Sequence, residues 1–121
     1  MWTTIVIDDE RLARQRIKRL LAVYNEVNII AEAENGAEGL ALIEKHHPDL
    51  IFLDHWMRTK SSGGELCLMI KENEATKDIP VILISVVNNI GQIAMDSCSD
   101  GCLTKPFEIE EIESVVNAYI G

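Results

Sequence analysis

The sequence predicts an α/β domain in which helices cover both faces of a five-stranded parallel sheet. Short apolar runs rich in β-branched residues alternate along the chain with stretches whose apolar residues recur at helical spacing. Four of the runs are nearly continuous in apolar character, which suits strands buried on both faces of a parallel sheet. Because β-α-β crossovers are right-handed, five β-α repeats give a doubly wound (βα)5 sheet.

The predicted strands cover residues 3–7, 28–33, 50–53, 81–84 and, more weakly, 102–104. Turn-forming pairs separate them from the helices: Asn35-Gly36 precedes the second helix and Pro48-Asp49 follows it. No linker, repeat or low-complexity segment interrupts the pattern. Residues 1–121 are therefore predicted to form one domain.

Apolar residues at helical spacing mark four helices and suggest a short one between the last two strands. These positions are, in order, Leu12, Ile17, Leu20 and Leu21; Leu40 and Ile43; Leu66, Met69 and Ile70; Ile90, Ile93 and Ala94; Ile109, Ile112, Val116 and Tyr119. The basic residues of the first helix are expected on its outside, namely Arg14, Arg16, Lys18 and Arg19. Glu108, Glu110 and Glu111 open the last helix, where the helix dipole favours acids.

The charge of the chain excludes some classes of partner. Twenty acidic residues against eleven basic ones give a net charge of −9. This balance argues against direct nucleic-acid binding and against docking on an anionic membrane, since both need clustered cations. Three cysteines without a CxxC pair favour a reducing compartment. With no apolar run of about 18 residues and no secretion leader, the expected location is the cytoplasm.

Polar residues collect where the predicted strands end. In open parallel α/β sheets, ligands bind outside the carboxyl ends of the strands. The first strand is followed by Asp8-Asp9-Glu10, the third runs into Asp54, the fourth ends at Ser85, and the fifth is followed by Lys105-Pro106. Four strand ends thus deliver acids, a hydroxyl and a lysine to one edge of the sheet.

Each of these residue types suits phosphoryl chemistry. Crowded carboxylates repel one another, and a hard divalent cation such as Mg²⁺ relieves that repulsion. Asp54 can act as a carboxylate nucleophile and form an acyl phosphate, while Lys105 and Ser85 can each contact a phosphoryl oxygen. Taken singly, an aspartate at a strand end is more often a helix cap or turn residue, and Lys105 would be an ordinary surface lysine. The combination favours the functional interpretation.

With these residues in place, the chain resembles the receiver domains of two-component response regulators, including the chemotaxis regulators. The motifs are residues 5–9, 48–54 and 103–107, and the resemblance spans the chain. It implies a flavodoxin-like receiver fold, with Asp54 as the phosphoacceptor. It also implies that Mg²⁺ is held by Asp8, Asp9, Asp54 and the backbone carbonyl of Trp56, and that Ser85 and Lys105 bind the phosphoryl group. Residues 8–14 (DDERLAR) look most like receivers joined to LytTR-type DNA-binding domains.

The chain departs from the family pattern at several places. Arg58 stands where receivers usually carry a proline, and the loop before Gly63 looks one residue longer than usual. Cys102 stands where the family places an aromatic ring that swings inward on phosphorylation. Because cysteine is small, it cannot make that swing with comparable burial. The resemblance thus implies that the phosphorylation chemistry is kept while the switch at Cys102 is atypical.

Three functions follow as alternatives. The first is a signalling switch, not an enzyme, that accepts a phosphoryl group on Asp54 from a histidine kinase or phosphotransfer protein and presents an altered face to an output partner or effector domain. The second is an interaction module of the same fold that no longer depends on phosphate. The third is a phosphohydrolase, against which stand Trp56 at the position of a general acid and His55, expected to point away from Asp54. A homodimer is left open.

Overall fold

The computed structural model of the protein describes residues 2–55, 63–85, 99–105 and 107–119. Trp56, Arg58 and the short helix predicted around residues 90–94 lie outside this part of the chain. The elements are β1 (Trp2–Ile7), α1 (Arg11–Leu21), β2 (Val27–Ala33), α2 (Gly36–His46), β3 (Leu50–Asp54), α3 (Gly63–Glu72), β4 (Val81–Ser85), β5 (Gly101–Thr104) and α4 (Ile109–Tyr119).

The five strands form one sheet in the order β2-β1-β3-β4-β5, and every neighbouring pair is parallel. The predicted fold class is confirmed, and each observed strand contains the predicted range with one added residue. From β1 the chain moves outward to β2, whereas from β3 it moves the other way to β4 and β5. The strand order therefore reverses between β1 and β3, and a crevice is expected outside their carboxyl ends.

Side chains alternate between two cores on opposite faces of the sheet. On β1, Ile5 and Ile7 face a core closed by α2 and α3, while Val6 faces a core closed by α1 and α4. The residues of β3 and β4 are all buried, because these strands lie inside the sheet with helices on both faces. β2 is an edge strand, and only Ala33 of its seven residues is fully buried. The near-continuous burial predicted for it is wrong for that reason.

The buried stripe of α1 differs from the predicted one. Leu12 is 77% exposed, whereas Ile17 and Leu21 are buried. Leu12 lies five residues before Ile17, which places it about 140° away around the helix. Arg14 lies three residues before Ile17, on the buried side, and its side chain is only 14% exposed. The prediction that Arg14 lies on the outside is wrong. Met69 and Ile109, also predicted on apolar stripes, are 51% and 41% exposed.

Charge is divided between the two helices that share one face of the sheet. α1 has no acidic residue, and α4 has no basic residue. Arg16 of α1 contacts the segment just before α4, since its Nη2 donates a hydrogen bond of 2.7 Å to the carbonyl of Phe107. The guanidinium of Arg16 also stacks over the Phe107 ring, 5.8 Å from its centre. This face of the protein therefore has a basic half and an acidic half.

In the described part of the chain, none of the helices has the length and apolar character needed to cross a bilayer.

Candidate functional site

Asp8 and Asp54 lie side by side at the point where the strand order reverses. β1 and β3 pair with Ile7 opposite Leu53; Asp8 directly follows Ile7, and Asp54 directly follows Leu53 as the last residue of β3. Both carboxylates are withdrawn from solvent, since Asp8 is 1% and Asp54 is 4% exposed. The amide of Asp8 donates to the carbonyl of Ala33 at 3.0 Å, which fixes the end of β1 against β2. The site is thus built on rigid strand ends.

Lys105, which directly follows the edge strand β5, contacts both of these acids. Its Nζ lies 3.1 Å from Asp8 Oδ2 and 3.2 Å from Asp54 Oδ1. The lysine follows β5, and its amide donates to the carbonyl of Ser85 at 2.7 Å. That bond holds the end of β5 against the end of β4. The single ammonium group of Lys105 therefore forms ion pairs with two buried carboxylates.

The acids after β1 form a cluster that suits a hard divalent cation. Carboxylate oxygens of Asp8, Asp9 and Glu10 all lie within 4.8 Å of one another. The amide of Glu10 donates to Asp8 Oδ1 at 2.9 Å, which folds the chain tightly here. Glu10 is exposed and Asp9 is half-buried, so the cluster is open to water. Mg²⁺ prefers such oxygen ligands and keeps several waters. The donor set and its excess of negative charge fit Mg²⁺.

The surroundings of Asp54 raise its pKa from 3.8 to about 7. Burial is the main cause, the negative charge of Asp8 adds to it, and Lys105 opposes both. Burial also works against the charged form of Lys105, but attraction to Asp54 and Asp8 is stronger and the pKa of Lys105 is raised. Without a divalent cation, the negative charge of the acids at this site therefore exceeds the positive charge that Lys105 supplies.

Asp54→Asn is expected to stabilise the metal-free protein at alkaline pH by about 1–3 kcal/mol. An acid with a raised folded-state pKa loses stability as pH rises from its unfolded value of 3.8 to its folded value of about 7. The asparagine variant lacks that loss, so the two proteins should converge at acid pH. Urea denaturation across this range in a chelating buffer measures the difference. Asp78→Asn, at an exposed position, is the matched control. Parallel stability curves for wild type and Asp54→Asn would contradict this origin of the shift.

Ser85 ends β4 at the same edge of the sheet. Asp54 pairs with Ile84, so Ser85 lies one residue beyond the strand partner of Asp54. It is 1% exposed, and on its other side it pairs with Thr104 of β5. The structure thus brings together the ends of β1, β3, β4 and β5, as the sequence predicts. The predicted metal ligand Trp56 lies outside the described residues.

The start of α3 packs directly on the backbone of the predicted phosphoacceptor. A Cβ atom on Gly63 would lie 2.2 Å from the carbonyl oxygen of Asp54 and 2.7 Å from Cα of His55. The amide of Gly63 donates to the carbonyl of His55 at 2.8 Å. The His55 ring accepts a bond of 3.1 Å from the Gly64 amide at Nδ1. The His55 ring is thus engaged with α3, and burial lowers its pKa despite Glu65.

Cys102 lies three residues before Lys105 on β5, opposite Leu83 of β4. It is half-buried and packs against the core on the α2 and α3 face. Its thiol is free. Its position along β5 is the one the sequence predicts, and its part in switching stays a prediction.

Sequence reasoning missed two contributors to the site. Glu10 is the third acid of the run after β1, but the sequence prediction does not include it among the metal ligands. The sequence predicts Arg14 on the outside of its helix, yet its Nη1 donates to the carbonyl of Asp8 at 2.6 Å. Its position three residues before Ile17 and seven before Leu21 would have placed it on the buried face.

This geometry defines a class of protein: a five-stranded parallel α/β domain with buried carboxylates and a lysine at the point where the strand order reverses. The family model for the response regulator receiver domain matches residues 4–117. The chain belongs to that family.

Relatives agree with this assignment. The chain is 35% identical over 118 residues to Protein PilG of Pseudomonas aeruginosa, covering 96% of this chain and 85% of that protein. It is 32% identical over 113 residues to the sensory transduction protein LytT of Oceanobacillus iheyensis, covering 93% of this chain and 46% of LytT. The chain spans about half the length of LytT and of several other curated relatives.

Solved structures share the fold. The signal receiver domain of NarL from Mycobacterium tuberculosis superposes with a TM-score of 0.86 at 30% identity, covering 99% of this chain and 97% of that one. The Vibrio cholerae chemotaxis protein CheY4 superposes with a TM-score of 0.83 at 24% identity, covering 99% of both chains. The second likeness concerns the fold alone.

Proposed function

We propose that this receiver domain is a phosphorylation switch in which Asp54 accepts a phosphoryl group from a histidine kinase or a phosphotransfer protein. The supporting observation is the shared ammonium group of Lys105, within 3.2 Å of both Asp8 and Asp54 at the ends of neighbouring strands. The domain assists its own phosphorylation and dephosphorylation and turns over no separate metabolite. Phosphorylation alters a face that binds an output partner or effector domain.

Asp54 is the nucleophile in this proposal. A carboxylate oxygen bonds to phosphorus as the phosphorus–nitrogen bond of the donor phosphohistidine breaks, and the imidazole nitrogen keeps the bonding pair and takes up a proton. The attacking carboxylate must be ionised. Lys105 favours the ionised form and so counteracts part of the rise in the pKa of Asp54 caused by burial. The same ammonium is suited to a phosphoryl oxygen once Asp54 carries the phosphoryl group as an acyl phosphate.

Asp8, Asp9 and Asp54 would hold Mg²⁺, together with the backbone carbonyl of Trp56. When bound, the metal supplies positive charge for the phosphoryl group in transfer. Ser85 contributes a hydroxyl at the neighbouring strand end. The net charge of −9 favours a protein partner over direct contact with nucleic acid or an anionic membrane. A cytoplasmic location is part of the same proposal.

Beryllofluoride, a mimic of the phosphoryl group on an aspartate, provides the test. In the presence of Mg²⁺, it should produce a saturable change in tryptophan fluorescence, since Trp56 follows Asp54 by two residues. Asp54→Asn should abolish the change, and Trp2→Phe should preserve it. Asp78→Asn removes the same charge at an exposed site and should behave like wild type.

The two alternatives give different results. A folded protein that binds neither Mg²⁺ nor beryllofluoride would be the phosphate-independent module, an outcome consistent with the missing aromatic ring at Cys102. Steady turnover of a model phosphate ester that depends on Asp54 would identify a phosphohydrolase instead. Either result contradicts the switch.

A further inference from the structure

Arg14 connects the acid cluster to the outer edge of the sheet. Its Nη1 donates to the main-chain carbonyl of Asp8 at 2.6 Å, and its Nε donates to Glu32 Oε1 at 3.1 Å. The side chain is 14% exposed and runs from the first turns of α1 across the end of β1 to β2. One guanidinium group therefore bridges the end of β1 and the edge strand.

The carbonyl that Arg14 holds belongs to the peptide joining Asp8 to Asp9. Rotation of this peptide would move the Asp9 carboxylate relative to the Asp8 carboxylate, since it sets the backbone direction between them. The neighbouring groups are fixed independently: the Asp8 amide donates to the carbonyl of Ala33, and Asp8 Oδ1 accepts from the Glu10 amide. Among these bonds, the one from Arg14 restrains the peptide plane itself.

Glu32 keeps the guanidinium in place. Its second oxygen, Oε2, accepts a bond of 2.8 Å from Lys18, so two cations of α1 are anchored to one carboxylate. An arginine can donate in two directions from a rigid planar group, whereas a lysine offers one flexible ammonium. Arg14 can thus bind Glu32 and the Asp8 carbonyl together, and a lysine at this position would not reproduce both contacts.

We propose that Arg14, braced by Glu32, is a positioning residue that sets the arrangement of Asp8 and Asp9 for binding a divalent cation. The inference rests on the proposed function, in which these acids hold Mg²⁺. Groups that orient metal ligands typically change metal affinity by about 10–100-fold when they are removed. The hydrogen bonds described for Arg14 go to the main-chain carbonyl of Asp8 and to Glu32, so its proposed effect is exerted through the backbone.

A positioning role and a purely electrostatic role of Arg14 predict opposite changes in Mg²⁺ affinity when Arg14 is removed. Arg14 is a cation near a cation site, so by charge alone its removal should tighten Mg²⁺ binding. If the guanidinium fixes the ligands, its removal should weaken binding. A lysine keeps the charge and loses the geometry, so Arg14→Lys separates the two effects.

The experiment is isothermal titration of Mg²⁺ into the metal-free wild-type protein and the variants Arg14→Ala, Arg14→Lys and Glu32→Gln. Arg14→Ala and Arg14→Lys should both weaken binding about tenfold, and Glu32→Gln by less. Arg19→Ala removes the same charge from an exposed position on the same helix and should leave binding unchanged or slightly tighter. Thermal unfolding followed by circular dichroism confirms that each variant is folded, and Arg14→Lys carries the test if Arg14→Ala does not fold.

The results separate this inference from the proposed function. If wild type binds Mg²⁺ and Arg14→Lys binds it equally well or more tightly, Arg14 is not a positioning residue, and the proposed function stands. If the folded wild-type protein does not bind Mg²⁺, the proposed function fails and this inference fails with it.

Discussion

Gly63→Ala is expected to lower the free energy of unfolding by about 3 kcal/mol or more. The added Cβ would lie 2.2 Å from the Asp54 carbonyl oxygen and 2.8 Å from its carbonyl carbon. Both atoms belong to the backbone of a buried strand, so no side-chain rotation can relieve the clash. Because Gly63 starts α3, alanine would otherwise be a favourable helical residue. Urea denaturation of the two proteins measures the loss.

The same substitution should also disturb Asp54, the proposed phosphoacceptor. Relief of the clash must move α3 away from β3 or displace the Asp54 peptide, and binding of beryllofluoride should weaken in any Gly63→Ala protein that folds. Gly101→Ala is the control, because its Cβ would meet first the terminal methyl of Ile82 at 3.1 Å, a flexible group. Equal stability of Gly63→Ala and Gly101→Ala would show that the α3–β3 contact is looser than the structure indicates.

Lys105→Met is expected to have the second large effect, a loss of about 2–4 kcal/mol in metal-free protein near neutral pH. Methionine keeps most of the length and apolar surface of lysine but leaves Asp8 and Asp54 without the ammonium that lies within 3.2 Å of both. The two carboxylates then repel each other in a buried site, and the pKa of Asp54 should rise further above about 7. Urea denaturation with and without Mg²⁺ gives the size of the loss and the part that a divalent cation restores.

Lys77→Met is the matched control for this variant. Lys77 is a surface residue, paired with Glu74 at 2.9 Å, and its side chain is 44% exposed. Its replacement should change stability by less than about 1 kcal/mol. If Lys105→Met were no less stable than Lys77→Met in a chelating buffer, Lys105 would not be the counter-ion of the buried acids.

The fold could be predicted from the sequence almost completely, because buried parallel strands are encoded locally. The predicted runs 50–53 and 81–84 are apolar throughout, and the second is rich in β-branched residues. Runs this short are typical of buried strands rather than of helices. Edge position was not predictable in the same way. The six-residue run from Asn28 to Ala33 contains apolar residues, but which strand lies outermost depends on packing between distant segments.

The candidate site was predictable to the extent that it depends on strand ends. The residues following β1 and β5 and the last residue of β3 must meet at one edge of a parallel sheet, so Asp8, Asp54 and Lys105 could be placed together from topology alone. The contacts of Lys105 with both acids confirm that they meet. Their chemical roles stay predictions.

The sequence prediction was wrong about which side of α1 faces the sheet, and that side depends on how the helix is rotated about its axis. The prediction put Leu12 on the buried stripe of α1 and Arg14 outside, whereas the structure has them the other way round. Hydrophobicity alone predicts that Leu12 is buried in preference to Arg14. The Arg14 guanidinium can nevertheless occupy the inner side of α1 because it binds a carbonyl and a carboxylate there. The spacing of Arg14 from Ile17 and Leu21 indicates the inner side of the helix, but its partners come from other segments and no local pattern identifies them.

The division of charge between α1 and α4 gives the domain an electric dipole moment lying across one face of the sheet. A uniform charge of −9 would only repel or attract an approaching protein. A domain with a dipole moment is also rotated by the electric field of a charged partner before the two make contact. An acidic partner would therefore meet the α1 side first and a basic partner the α4 side. Salt screens this interaction at separations beyond about 10 Å at 0.1 M ionic strength, so the orientation at first encounter depends on the ionic strength of the solution.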